Sequence, residues 1–163
     1  LNQRAQGSWA DIDAQLKRRH DLVPALVETV KGYASHERNT LEEVIERRGQ
    51  AVRHEGASAP DGAIQQQENL LAGALRGLFA LAEDYPDLRA SERFGQLQQQ
   101  LVEIEEALQS ARRYYNAVVR DLNIAIRSFP DMIVARAAGF AERDFFELDD
   151  PLEARRVVID LDD

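Results

Sequence analysis

The chain has 163 residues, enough for one domain with a core of ordinary size. It contains no cysteine, which excludes disulfides, thiolate metal sites and cysteine nucleophiles. Its net charge of −9 argues against nucleic acid as a partner, because phosphate backbones attract basic faces.

The first predicted helix starts behind Ser8 as N-cap and runs to about His54. Trp9, Ile12, Leu16, Val23, Leu26, Val30 and Tyr33 follow a 3-4 alternation, with Arg19 as the one miss, and Leu41, Val44, Ile45 and Val52 continue the stripe after a phase drift. Pro24 lies inside it. A proline there cannot donate to the carbonyl of His20 and costs about 3 kcal/mol, so a kink is expected; a new helix capped by Asp21 is the alternative.

GASAPDG, residues 56–62, is a loop by composition. A second helix is predicted over about Ala63 to Asp84, with Ile64, Leu71, Leu75, Leu78 and Ala82 on one face and Gly73 and Gly77 where backbones approach. Tyr85-Pro86 ends it.

The third helix carries the clearest pattern. Capped by Ser91, it places Phe94, Leu97, Leu101, Ile104, Leu108, Ala111, Tyr115, Val118, Leu122, Ala125 and Phe129 at successive 3-4 steps, the seam of helices crossing at a shallow angle. Pro130 stops it, and a short fourth helix is predicted over Asp131 to Ala138.

These elements imply an all-α fold: an elongated antiparallel bundle of three long helices plus one short C-terminal helix, over residues 1–147. The helices would measure roughly 70, 33 and 57 Å, so either the longer ones overhang or the first is broken. Residues 148–163 form an acidic tail, extended or partly disordered, in which Val157-Val158-Ile159 is a candidate extended piece. The last 22 residues hold nine acids and three arginines, two-thirds of the net charge.

Chemistry is sparse. His20, His36 and His54 lie several turns apart on the predicted first helix, and neither HExxH nor ExxH occurs. Each is expected to be solvated or structurally hydrogen-bonded. Adjacent carboxylates, Glu105 and Glu106 among them, point about 100° apart on a helix and are read as solvated faces. No phosphate-binding or nucleophile-elbow motif is present. Lys17-Arg18-Arg19 is read as pairing with nearby acids, or as a patch for anionic lipid. Asn116 and Asn123, seven residues apart, are expected to fix register across the seam.

Four stretches resemble the LemA family: SWADIDAQLKRRHDLVPALVETVKGYASHE, EDYPDLRASERFGQLQQQL, RRYYNAVVRDLNIAIRSFP and AGFAERDFFE. They span Trp9 to Glu147; Leu122 departs from the tyrosine familiar in the family at that position. The resemblance implies an antiparallel bundle behind an N-terminal membrane helix, with the bundle in the cytoplasm and no established catalytic activity. The chain opens on Leu1 rather than Met, so the span is expected upstream. No uncharged run here reaches the roughly 18–20 residues that a span needs.

The functional expectation is a non-catalytic scaffold or adaptor domain of a membrane-anchored protein. It would hold an unidentified protein partner, with no cofactor, no metal and no nucleic acid. The alternatives are a homo-oligomerisation module, in which an overhanging first helix exposes Trp9, Ile12 and Leu16, and an enzyme with a site assembled from Asp, Glu and His across helices. Candidate interaction or register residues are Trp9, Lys17, Arg18, Arg19, Asn116 and Asn123; no catalytic residue is assigned.

Overall fold

Six helices account for the secondary structure of the computed structural model, which describes residues 1–152 except Phe129 and Phe140, and leaves the side chain of Asp131 undescribed. They are α1 (Asn2–Lys31), α2 (Arg38–Val52), α3 (Gly62–Ala82), α4 (Pro86–Arg89), α5 (Glu92–Arg127) and α6 (Asp131–Ala138). Among the described residues there is no strand, and the fold is an all-α bundle.

The predicted first helix is in fact two. The chain runs helically through Pro24, which is exposed, and breaks instead over Gly32–Glu37. Gly32 is a poor helix former, and the turn tucks Ala34 into the core at 1% exposure. Folding back there lets α2 bury Leu41 and Val44, which a straight continuation would carry past the end of the bundle. It also resolves the mismatch in length: α1 and α5, roughly 45 and 54 Å long, pair as the long layer, with α2 and α3, roughly 22 and 32 Å, beside them.

Register follows from pairs along the helices. Trp9 meets Tyr115 at 5.9 Å between ring centroids, while Arg19 meets Glu105, so α1 and α5 run antiparallel. Glu37 accepts from the Tyr85 hydroxyl at 3.0 Å, and Phe79 approaches Phe94 at 6.0 Å. Each consecutive long helix therefore reverses direction.

The seam of α5 is buried as expected at Phe94, Leu97, Leu101, Ile104, Leu108, Tyr115, Val118 and Leu122, with Ala111 and Ala125 partly covered; Phe129 lies outside the described residues. Ser91 caps α5, its hydroxyl accepting from the Phe94 amide. Ser8 is not a cap: α1 starts six residues earlier, and the buried Ser8 hydroxyl donates to the Arg4 carbonyl at 2.6 Å. Gly73 and Gly77 do not mark a close backbone approach. Both lie on the exposed face of α3, where an added Cβ would meet nothing within 4 Å. Tyr33 and Ile45, assigned to the apolar stripe, are about half exposed because the break at Gly32 resets the phase.

After α6, residues 141–150 run extended along the bundle as a strap, with Phe146 and Leu152 buried. The expected extended piece at Val157–Ile159 lies outside the described residues.

Candidate functional site

Two polar constellations stand out, one inside the bundle and one on its flank. The first is built on Arg19, the miss in the apolar alternation of α1. Its position on the seam drives the guanidinium inward, to 0% exposure. There Nη2 donates to Glu68 Oε2 of α3 at 2.7 Å, and Nη1 to Glu105 Oε1 of α5 at 3.1 Å. The next residue, His20, is equally buried. Its Nδ1 lies 2.7 Å from Glu55 Oε1, just beyond α2, and its Nε2 lies 2.6 Å from Glu68 Oε1. Five charged groups thus join α1, the turn after α2, α3 and α5.

The geometry fixes a proton. A neutral imidazole can donate from only one ring nitrogen, yet both face carboxylate oxygens at hydrogen-bond distance, so the ring is held as the imidazolium. Burial pushes the His20 imidazole down, but bonding to Glu68 and Glu55 outweighs it and the net shift is upward. Burial likewise pushes Glu68 up, against His20 and Arg19, which hold it below the ordinary carboxylate range. Glu105 goes the other way: burial raises it, and Arg19 offsets only part of that. Fully ionised, the cluster would hold two positive and three negative charges.

The cluster meets solvent at the partly exposed Glu55, and near Glu105, where a cleft of about 20 Å³ is lined in part by Gln109, Arg112 and Asp149. That is room for about one water molecule. Among the described residues, no group of histidine and carboxylates is arranged to hold a metal ion.

The second constellation holds the strap. Asn116 and Asn123 do not bond across the seam. Each makes a two-way amide pair with the main chain of the strap. Asn123 Nδ2 donates to the Arg143 carbonyl at 3.1 Å and its Oδ1 accepts from the Arg143 amide at 2.9 Å. Asn116 does the same with Phe146, at 3.0 Å in both directions. Seven helical residues rise about 10.5 Å and three extended residues about 10 Å, so the two spacings match. Between these rungs the Tyr115 hydroxyl donates to the Asp144 carbonyl at 3.1 Å. Phe146 is fully buried, packed edge-on against Trp9 at 5.1 Å.

The other candidates divide. Trp9, Ile12 and Leu16 are buried at 1%, 0% and 3%, so no overhang exposes them for a dimer. The Trp9 indole instead donates to the Ala57 carbonyl at 2.8 Å, pinning the loop after α2. Lys17 and Arg18 are exposed, and Arg18 donates to Gln15 at 2.9 Å. The reading by periodicity missed Glu55, Glu68 and Glu105, and treated Glu105 as a solvated neighbour of Glu106. A signal was present: Arg19 and Glu68 occupy steps of the otherwise apolar series on α1 and α3, with opposite charge, while Glu105 stands beside Ile104 at the margin of the α5 seam.

A model of the LemA family matches residues 8–160, nearly the whole chain. The chain belongs to the LemA family. Its relatives include magnetosome protein MamQ of Magnetospirillum gryphiswaldense, 22% identical over 165 residues, covering 87% of this chain and 60% of the relative. Magnetosome protein MamQ 2 of Paramagnetospirillum magneticum is 22% identical over 170 residues, 90% of this chain and 62% of its own. Protein LemA of Metamycoplasma hominis is 25% identical over 155 residues, 95% of this chain and 68% of its own. The chain thus spans about three-fifths of the length of the MamQ relatives. No described helix of this LemA-family chain is long and apolar enough to cross a membrane.

Proposed function

We propose that this LemA-family chain is a non-catalytic helical scaffold, tethered to a membrane through a segment N-terminal to α1 and carried on its cytoplasmic side. One observation carries the non-catalytic reading: both oxygens of Glu68 are engaged by His20 and Arg19, and all three residues are 2% exposed or less. Groups committed to each other in this way lock helices together and leave little for a substrate. Family membership supports the tether, since the family resemblance implies a membrane helix ahead of the bundle.

Affinity capture by the immobilised chain tests the scaffold. A partner should be retained by the wild type and by Glu105→Gln, which alters the core without touching the surface. It should be released by the triple variant Lys17→Glu, Arg18→Glu, Ile45→Glu, which alters exposed residues of α1 and α2. Capture that ignores the surface variant and fails in the core variant would reverse the reading.

An enzymatic reading has one observation in its favour, the convergence of His20, Glu55, Glu68 and Glu105 from separate elements. It requires Glu55 to open the cluster to a small molecule. Protection of the Glu55 region from hydrogen exchange by a metabolite, in a screen against the folded chain, would favour it over the scaffold.

A further inference from the structure

The strap is held by its main chain more than by its side chains. Besides the amide pairs of Asn116 and Asn123, the Glu147 amide donates to Gln65 at 3.0 Å and the Asp149 amide to Asn69 at 2.9 Å, both on α3. The groove between α3 and α5 is therefore lined with side-chain amides spaced for an extended chain, as in peptide recognition through backbone hydrogen bonds. Side chains add selectivity. Phe146 fills a socket beside Trp9 and Tyr115, and strap acids meet arginines of α5: Glu147 with Arg112 at 2.6 Å and Glu142 with Arg127 at 2.5 Å.

Nothing in these bonds depends on which copy supplies the strap. The connection from α5 runs through α6, which packs mainly on α5. Along this connection apolar side chains are left open to solvent: Ile124 of α5 and Ile133 and Val134 of α6 are 55%, 57% and 65% exposed. An open cleft of about 560 Å³, lined in part by Leu1, Leu122, Ile126 and Val134, adjoins it. Val134, the most exposed of the large apolar side chains described, lies with Ile133 on the segment that would act as the hinge, and this is surface that two exchanging copies would cover where their hinges abut.

We propose that the groove between α3 and α5 is an intermolecular docking site whose occupant is residues 141–152 of a second copy of this chain. The contacts within the groove are the same in the closed monomer and the exchanged dimer, so they cancel. The balance is set by the hinge: burial of Ile133 and Val134 between copies favours the dimer. The proposal goes beyond the scaffold reading and does not require it, since strap exchange is compatible with any activity of the bundle.

The absence of cysteine makes the test direct. Gln65→Cys and Glu147→Cys are made as single variants of the full chain, carrying different tags, and co-expressed. A disulfide joining position 65 of one chain to position 147 of the other forms only if the strap of one lies in the groove of its neighbour. The expected result is a mixed disulfide well above that of a control pair, Ile45→Cys with Glu147→Cys. A mixed disulfide no greater than the control overturns the proposal, as does a double variant Gln65→Cys, Glu147→Cys that closes only within its own chain. Sedimentation equilibrium of the unmodified chain supplies a second readout. Dimer should be lost in Ile133→Asp, Val134→Asp with thermal stability unchanged, and a wild type monomeric throughout its soluble range overturns the proposal independently.

Discussion

The guanidinium of Arg48 donates from Nε to the carbonyl oxygen of His20 at 3.0 Å. That carbonyl is the acceptor left without its helical partner by Pro24, which has no amide hydrogen to give. A residue of α2 thus completes the hydrogen bonding of α1, and the helix can pass through a proline without breaking. The repair falls at His20, so the proline, the α1–α2 contact and the buried charge cluster are coupled at one point.

A double-mutant cycle tests that coupling. Arg48→Met should cost about 1–3 kcal/mol, the usual consequence of leaving a partly buried acceptor unpaired. In a Pro24→Ala background the backbone amide at position 24 supplies the missing donor, and the cost of Arg48→Met should fall by half or more. Urea melts of the four proteins measure it. Additive effects would show that Arg48 does not serve the proline.

Arg19 compensates two buried carboxylates. Its replacement by Met keeps much of the volume but strands Glu68 and Glu105, and should cost about 3–5 kcal/mol. For a domain of this length that lowers the thermal midpoint by roughly 10 °C. The further substitution Glu105→Leu should recover part of the loss, because an apolar pair is better tolerated than a lone buried charge. Thermal melts followed by circular dichroism decide both points.

Stability should depend on pH with a definite sign. His20 is raised from its ordinary value of 6.5, so its contribution is complete below that pH and is lost as the pH climbs through the folded-state value. Glu105, also raised, adds to the loss as pH rises above its ordinary 4.5. Glu68 is lowered, so its contribution is present above 4.5 and disappears as pH falls below that. Stability should therefore decline toward mildly alkaline pH, and His20→Gln should flatten that decline while lowering stability at about pH 6. Urea midpoints across the pH range read it out; a wild-type curve that rises from about pH 6 to about pH 8 would contradict the imidazolium.

Strap docking can be followed residue by residue. The amides of Arg143 and Phe146 should be protected from hydrogen exchange, and Asn116→Leu should speed exchange at Phe146 more than at Arg143. Phe146→Ala should cost about 3–5 kcal/mol. It should also shift the emission of Trp9, the single tryptophan, to longer wavelength as water enters the vacated socket.

The helices themselves were legible in the order of residues. The 3-4 spacing from Phe94 to Leu122 requires a buried face on α5, Ser91 and Pro130 bound that helix, and composition places the loop at 56–62. These are local properties: a period, a cap and a breaker act within a few residues of themselves. The rest emerged only once the helices were packed. The fold-back falls at Gly32 and not at Pro24, and it brings Arg48, 28 residues from His20, to the carbonyl that the proline leaves without a partner. Packing turns Arg19 from a member of a basic run into the centre of a charge cluster whose acids lie 49 and 86 residues away. It gives Asn116 and Asn123 an extended strap in place of a facing helix. A charged or amide side chain on a seam announces that it needs a partner, but which partner depends on how separate helices align, and alignment is set by packing between surfaces distant along the chain.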